Sequence, residues 1–312
     1  MPKTSVTVFA PATVANLGSG FDVFGLAISG LGDSLRMEPN TYGGIRIRSI
    51  KGDEGKLSTD PEQNTAGVAL MALLEHLGVN RGFDLWLTKK MPMGSGMGSS
   101  AASAAAAVVA ANHLLGSPCS KEELVYWAMQ GERIASGAAH ADNVAPSILG
   151  GITLVRTTDP LEVLRLPVPS RLHVAILHPH LELPTSESRK ALPRQIPLSD
   201  AVRQWANTAS LVAGLYAKDL SLIGRAMEDR VAEPARGPLI PDFAKVKSAA
   251  LDAGALACTI SGAGPSIVAL CSSRPQADRV GAAMREVYLE KNLSCSLYVS
   301  AVNRKGTVIA KR

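Results

Sequence analysis

The stretch PMGSGMGSS occupies residues 92–100, with glycines at positions 94, 96 and 98. An alternating apolar segment, residues 83–88, precedes it, and an alanine-rich segment, residues 99–115, follows it. These patterns predict a strand, a glycine loop and a long helix in that order. Glycines let a backbone approach an anion without a Cβ clash, and the first amides of a helix lack partners inside the helix. The stretch therefore predicts a phosphate-binding loop, in which Ser99 and Ser100 cap the helix and one of them also reaches a phosphate or Mg²⁺.

This loop differs from the two best-known phosphate-binding patterns. No Lys-Ser or Lys-Thr pair follows the glycines, as the P-loop of nucleoside triphosphatases requires. The two-and-two glycine spacing also differs from the dinucleotide fingerprint. Three glycines alone fit a flexible turn before an ordinary helix equally well. The two serines and the long small-residue helix favour the anion site.

Size and composition limit the class of protein. The chain has 312 residues, of which 46% are apolar and 4% aromatic, and its net charge of +5 is scattered. That length predicts two modest domains, which we place at residues 1–157 and 158–312. The scattered charge and the scarcity of aromatic residues argue against nucleic-acid binding. Four cysteines without zinc or disulfide spacing, and no apolar stretch long enough for a bilayer, predict a cytoplasmic protein that does not associate with membranes.

Strand and helix patterns alternate in both halves of the chain. Residues 6–10 read as a strand that ends at Pro11, and residues 16–22 read as a loop. Residues 45–50 alternate cleanly and predict a half-exposed antiparallel strand. Similar patterns with hairpin-like pairs continue after the glycine loop. The mixture predicts an α+β fold and not a doubly wound parallel sheet.

Three motifs resemble those of one kinase family. Residues 92–102, PMGSGMGSSAA, resemble the central phosphate loop of the GHMP kinases, and residues 10–22, APATVANLGSGFD, resemble their N-terminal motif. Residues 259–266, TISGAGPS, are similar to their C-terminal glycine motif. The motifs span nearly the whole chain in the family's order. The resemblance implies a two-domain GHMP kinase fold: an N-terminal domain like domain 2 of ribosomal protein S5, a ferredoxin-like C-terminal domain, ATP between them, and a last strand, about 300–312, that rejoins the first domain.

Further blocks are similar to the family members that phosphorylate homoserine. These blocks are HADNVAP at 140–146, TSESRKALP at 185–193 and EPARGPLIP at 233–241. The resemblance implies ATP-dependent phosphorylation of the hydroxyl of L-homoserine with Mg²⁺, by a protein that forms a homodimer. Two alternatives remain open: a kinase for mevalonate-type or shikimate-type alcohols, and a non-catalytic ligand-binding protein with the same fold.

The resemblance also implies roles for individual residues. Asp22, Glu132 and Ser100 would be catalytic, with Ser100 and Glu132 holding Mg²⁺. Whether Asp22 is a base or only orients the hydroxyl stays open. The nucleotide would contact Met91, Pro92, Met93, Gly94, Ser95, Gly96, Met97, Gly98, Ser99, Ser100, Ala101, Asn64 and Thr65. The substrate would contact Asn16, Asp22, His140, Thr185, Arg189, Arg236 and Gly262. The two arginines would grip its carboxylate, and His140 would orient it or serve as a structural histidine.

Overall fold

The computed structural model describes residues 5–136 and 139–310. In the first half of the chain the elements are β1 (Val6–Ala15), β2 (Phe24–Asn40), β3 (Ile45–Lys51), α1 (Thr65–His76), β4 (Gly82–Thr88), α2 (Ser99–Leu114), α3 (Lys121–Ser136), α4 (Val144–Leu149), β5 (Ile152–Thr158) and β6 (Leu161–Leu166). In the second half they are β7 (His173–Pro179), α5 (Thr185–Lys190), α6 (Leu198–Ala217), α7 (Leu220–Ala226), α8 (Ala232–Arg236), α9 (Phe243–Asp252), β8 (Ala257–Ile260), β9 (Ile267–Cys271), α10 (Arg274–Leu289), β10 (Cys295–Ala301) and β11 (Val308–Ile309).

The first sheet is organised around the long strand β2. β1 pairs along one edge of β2, while the other edge pairs with β5 in its first part and β4 in its second. The order is β11-β1-β2-β4-β3, with β6 added to β5. α2 packs on β1 and β2 and also contacts α1 and α3. Its alanines from Ala101 to Ala111 are buried, because their small side chains let the helix lie between the sheet and the outer helices.

The second sheet has the order β10-β7-β9-β8, and all of its neighbours are antiparallel. α9 and α10 pack against this sheet and close a second core around Val246, Val280 and Met284. Counted along the chain, the strand order is 4-1-3-2 with helices in both crossovers. This is the ferredoxin-like arrangement, with the helices from α5 to α8 inserted before α9. The expected α+β fold is confirmed.

Two details of the sequence prediction are wrong. β3 lies where a strand was predicted, but it pairs with β4 in parallel. The connection between them runs through α1, and a helical crossover returns the chain in the same direction, unlike a hairpin. β1 also continues past Pro11, and its register with β2 shifts between Pro11 and Thr13. A proline, which lacks an N–H group, is tolerated at such an irregularity.

Two strands from the predicted second domain, β6 and β11, belong to the first sheet. β6, after residue 157, pairs with β5, and β11 pairs with β1. The bounds of 1–157 and 158–312 stay a prediction. In the part of the chain that the structure describes, no helix has both the length and the apolar character needed to cross a membrane.

Candidate active site

One cavity of about 410 Å³ opens where the three motifs meet. The glycine loop and the first turn of α2 form one wall, and the loop between β1 and β2 forms another. α5, α8 and the turn between β8 and β9 complete it from the second half of the chain. The motifs are far apart in sequence, so the tertiary fold itself brings them together.

The glycine loop turns its carbonyl groups into the protein. Main-chain donors bond to the oxygens of Gly94, Ser95 and Met97, at distances between 3.0 and 3.4 Å. Side-chain donors bond to those of Gly96, Ser99 and Ser100. In contrast, none of the amides of residues 94–101 donates a hydrogen bond to another described residue. The loop therefore presents a run of open N–H groups beside the cavity, and such a concave run of amides binds anions.

Glycine is required at two positions of this loop by close contacts as well as by backbone angles. Gly96 has a φ of 74°, and a Cβ there would lie 2.4 Å from the carbonyl oxygen of Ser261. Gly98 has a φ of 71°, and a Cβ there would lie 2.0 Å from Oγ1 of Thr13. The glycine loop can therefore pack against Thr13 and Ser261 only when these two positions have no side chain.

The prediction that Ser99 and Ser100 cap α2 is wrong. Gly98 is the N-cap residue and offers no side-chain cap. The Ser99 hydroxyl donates to Asp33 at 2.7 Å, and the Ser100 hydroxyl donates to Glu132 at 3.1 Å. Because no side chain satisfies the first amides of the helix, they stay open to an anion at the positive end of the helix dipole.

Ser100 and Glu132 form the pair of oxygen ligands expected for a cation. Glu132, on α3, is buried, and this burial raises the pKa of its carboxyl group to about 7. A bound cation would favour the charged form and reverse that shift. The described residues contain no group of three or more His, Cys, Asp and Glu side chains arranged for a metal. One carboxylate and one hydroxyl fit Mg²⁺, which keeps several waters and is commonly held through substrate phosphates.

Asp22 and Arg189 also line the cavity and form a bidentate ion pair. Nη1 and Nη2 of Arg189 each lie 3.0 Å from a carboxylate oxygen of Asp22. His140 approaches the same carboxylate, with its Nδ1 at 3.9 Å, and burial lowers the pKa of this histidine. Among the described residues, Nε of Arg189 and Nε2 of His140 are buried without a hydrogen-bond partner. Polar atoms of this kind around a charged pair indicate a ligand pocket.

Arg236 and Asn16 join the substrate side of the cavity to the C-terminal motif. Arg236, on α8, is 3% exposed, and its Nη1 donates to the carbonyl oxygen of Gly262 at 3.0 Å. Nδ2 of Asn16 donates to the same oxygen at 3.0 Å. The guanidinium groups of Arg236 and Arg189 lie 5.1 and 5.8 Å from the ring centroid of Phe21. Two cations that line the cavity therefore lie around one aromatic ring.

Most of the residues predicted for the site line this one cavity. It is lined by all seven expected substrate residues, by both expected metal ligands, by Asn64 and Thr65, and by residues 93–100. Met91, Pro92 and Ala101 do not line it, and Met91 and Ala101 are fully buried behind the loop. Asn64 caps α1 through a 3.0 Å bond to the amide of Ala66.

Six polar residues of the cavity wall were missed: Gln63, Lys89, Ser103, Asp142, Asn143 and Ser186. Lys89 directly precedes the loop, and no local pattern marked it. Asp142 and Asn143 stand in the 140–146 block, where His140 alone was selected. Oδ1 of Asn143 accepts a hydrogen bond from Thr13 at 2.7 Å, so it lies close to the glycine loop. The position of Asp142 and Asn143 beside His140 in the sequence was the signal that could have identified these two residues.

Asp142 gives a prediction for stability against pH. Burial, followed by the nearby charge of Asp22, raises the pKa of Asp142 to about 7 from an ordinary value of 3.8. Between these values the folded protein keeps a proton that the unfolded chain has lost, so stability falls as pH rises. The whole shift corresponds to about 4 kcal/mol at most. We expect Asp142→Asn to flatten the decline between pH 4 and 7 in urea unfolding of the ligand-free protein.

The matched control is Asp252→Asn, which alters an exposed carboxylate on α9. Some decline will remain in Asp142→Asn, because the pKa of Glu132 is raised in the same direction. An Asp142→Asn curve parallel to the wild type would contradict the assigned pKa.

Comparison with known proteins agrees with this geometry. The family model for the GHMP kinases N terminal domain matches residues 64–151, and that for the GHMP kinases C terminal domain matches residues 211–289. A homoserine kinase of Chlorobium phaeobacteroides is 49% identical over 317 residues, which cover 98% of this chain and 99% of the relative. The crystal structure of homoserine kinase from Cytophaga hutchinsonii has a TM-score of 0.96 at 51% identity, covering 99% of this chain and 98% of that one. L. major mevalonate kinase, solved with R-mevalonate, has a TM-score of 0.71 at 18% identity over 94% of this chain and 95% of its own, and shares the fold alone.

Proposed function

The chain belongs to the homoserine kinases of the GHMP kinase family, and on that premise we propose that it transfers the γ-phosphoryl group of ATP to the side-chain hydroxyl of L-homoserine. The product is O-phospho-L-homoserine, an intermediate of threonine biosynthesis. The observation that carries this proposal is the run of open amides at residues 94–101, which faces the same cavity as Asp22, Arg189 and Arg236.

The ATP phosphates are assigned to the glycine loop. A triphosphate carries several negative charges, and open amides at a helix N-terminus supply donors that are already in place. Asn64 and Thr65 lie on the cavity wall beside the loop and are proposed to contact the nucleoside. The loop amides would hold the phosphate oxygens while the residues around Asp22 hold the acceptor alcohol, so the two reactants meet inside one cavity.

Mg²⁺ is proposed to bind to Ser100 and Glu132, whose oxygens suit this cation. When bound, it neutralises negative charge on the phosphate oxygens. Glu132 must be ionised to serve as a ligand, and the hydroxyl of Ser100 donates a hydrogen bond to it, so the two oxygens lie close together.

L-homoserine is assigned to the pocket around Asp22. A free amino acid carries a carboxylate and an ammonium group on one carbon, and this wall offers both complementary charges. The carboxylate is assigned to Arg236 and to the unpartnered Nε of Arg189, and the ammonium group to Asp22. Mevalonate and shikimate have a carboxylate but no ammonium group, so they leave the acidic partner unused.

Asp22 is proposed to orient the substrate without acting as the base. Both of its carboxylate oxygens already accept hydrogen bonds from Arg189, which fixes the carboxylate in place. The hydroxyl proton would then pass to the transferred phosphoryl group. Asp22→Asn tests this role: retained turnover at saturating homoserine supports an orienting residue, whereas loss of kcat at unchanged KM would assign the base to Asp22.

The arginines yield a prediction for substrate binding. We expect Arg189→Ala and Arg236→Ala each to raise KM for homoserine by about 30- to 100-fold, because each removes a charge-assisted hydrogen bond to the carboxylate. KM for ATP should change by less than about threefold, since neither side chain contacts the glycine loop. Steady-state ATP consumption with varied homoserine measures both constants. The opposite pattern, a raised KM for ATP alone, would contradict this placement.

The acceptor assay separates the remaining alternatives. ATP consumption is measured with homoserine, mevalonate or shikimate at equal concentrations, and turnover is expected with homoserine alone. If another alcohol is preferred, the acceptor assignment is wrong, and if no alcohol stimulates ATP consumption, the proposed reaction is wrong. We also propose a cytoplasmic homodimer, by resemblance to the family; sedimentation velocity would test the dimer.

A further inference from the structure

A buried ion pair joins the two ends of the glycine loop. Asp33 lies on β2 and Lys89 directly follows β4, and their charged atoms are 2.5 Å apart. Their side chains are 3% and 2% exposed. In the sequence, β3, α1 and β4 lie between the two residues, but in the fold Asp33 hydrogen-bonds to residues before and after the glycines. None of the roles assigned above uses the ion pair.

Asp33 contacts both the start and the end of the loop. Its Oδ1 accepts hydrogen bonds from the amides of Lys90 at 2.8 Å and Met91 at 3.2 Å. Its Oδ2 accepts a hydrogen bond from the hydroxyl of Ser99 at 2.7 Å and also contacts the ammonium group of Lys89. One carboxylate therefore holds the residues before the glycines and the first residue of α2.

Lys89 has no donor left for a ligand. An ammonium group has three N–H donors. In this structure its nitrogen contacts Asp33, the carbonyl oxygen of Ser99 at 2.8 Å and Oγ of Ser103 at 2.6 Å. Lys89 therefore does not bind a phosphate directly, and any effect of Lys89 on nucleotide binding must act through the position of the loop residues.

The bond to Ser99 reaches the amides that face the cavity. The Ser99 carbonyl belongs to the same peptide group as the amide of Ser100. A cation that bonds to this carbonyl polarises the peptide group and makes its N–H a stronger donor. That amide lies at the first turn of α2, among the open donors assigned to phosphate.

We propose that Asp33 and Lys89 are positioning residues that hold the glycine loop in its phosphate-binding shape before the nucleotide arrives. This inference rests on the proposed use of ATP at the loop. Preorganised donors gain affinity because the loop does not have to be ordered on binding. Loss of the pair should therefore weaken ATP binding beyond any effect on the stability of the folded protein.

A buried ion pair could alternatively have a purely structural role, so the test separates affinity from stability. Removing one charge leaves the other buried and unpaired, which destabilises a protein strongly. The double variant Asp33→Asn/Lys89→Met removes both charges and should recover much of the lost thermal stability. We expect its Kd for a non-hydrolysable ATP analogue to remain raised about 30-fold, with KM for homoserine within about twofold of the wild type.

Ser99→Ala is the milder second variant, since it removes one bond to Asp33 and leaves the ion pair intact. We expect a Kd for the analogue about fivefold higher, with a melting temperature close to that of the wild type. Lys51→Met is the matched control because it removes an exposed lysine charge from β3, and the analogue should bind it as it binds the wild type.

Binding is measured by equilibrium titration without homoserine, alongside thermal unfolding of the same samples. Wild-type affinity for the analogue in the double variant would overturn the proposal, and so would wild-type affinity in Ser99→Ala. If the double variant does not fold, Ser99→Ala decides. Failure of the proposed reaction is seen separately, as a wild-type protein that consumes no ATP with homoserine.

Discussion

Gly98→Ala is expected to abolish measurable ATP binding and with it kinase activity. Gly98 is the N-cap of α2 with a φ of 71°, and its added Cβ would lie 2.0 Å from Oγ1 of Thr13. That oxygen is itself held by a hydrogen bond to Asn143. Relief of the clash must move the loop away from β1, so the amides that follow Gly98 lose their direction toward the cavity. Titration with an ATP analogue and the ATP-consumption assay measure the effect.

Gly116→Ala separates backbone strain from the clash. Gly116 lies just beyond the other end of α2 with a φ of 89°, and a Cβ there would meet no atom within 4 Å. Both variants carry a left-handed alanine, which costs about 1 kcal/mol. Only Gly98→Ala should lose ATP binding. A second change, Thr13→Ala, removes the nearest atom and should restore part of the affinity; equal losses in the two glycine variants would contradict the steric explanation.

The features predicted best from sequence are those formed by residues that are adjacent in the chain. The glycine loop and the start of α2 are contiguous, and an alanine-rich run after glycines marks a helix clearly. The residues expected for substrate and metal all line one cavity. They were assigned through the resemblance to the GHMP kinases, and all except Glu132 lie in short blocks that carry this resemblance. The resemblance therefore indicated the chemistry of the wall, but it gave no information on the contacts across it.

Features that depend on distant parts of the chain were not predictable in the same way. Arg189 and Arg236 lie on α5 and α8, which are six and five residues long and too short to show helical periodicity. The pairing of Asp33 with Lys89 requires β2 and β4 to be neighbours, which no single segment reveals. The parallel pairing of β3 likewise depends on the crossover through α1. The bidentate bond between Asp22 and Arg189 also requires the two halves of the chain to fold together.

Glu132→Gln is expected to lower kcat by about 1,000-fold, since a neutral amide is a poor ligand for Mg²⁺ and charge neutralisation at the phosphates is a large part of phosphoryl-transfer catalysis. Glutamine keeps the size of the side chain and can still accept the hydrogen bond that Ser100 donates to Glu132. The variant should therefore fold. In the ligand-free protein it should be at least as stable as the wild type near pH 7, because it no longer has to ionise a buried carboxyl group whose pKa is about 7.

Affinity for Mg²⁺ should show a pH dependence in the wild type that Glu132→Gln lacks. Because burial raises the pKa of Glu132 to about 7, protonation competes with the cation below that pH, and the Mg²⁺ concentration for half-maximal activity should rise as pH falls from 8 to 6. Glu122→Gln is the matched control, since Glu122 is exposed on the same helix and should leave kcat and Mg²⁺ dependence unchanged. A Glu132→Gln enzyme with nearly wild-type kcat at saturating Mg²⁺ would show that the cation is held elsewhere. It would also leave the raised pKa of Glu132 as a property of the buried fold alone.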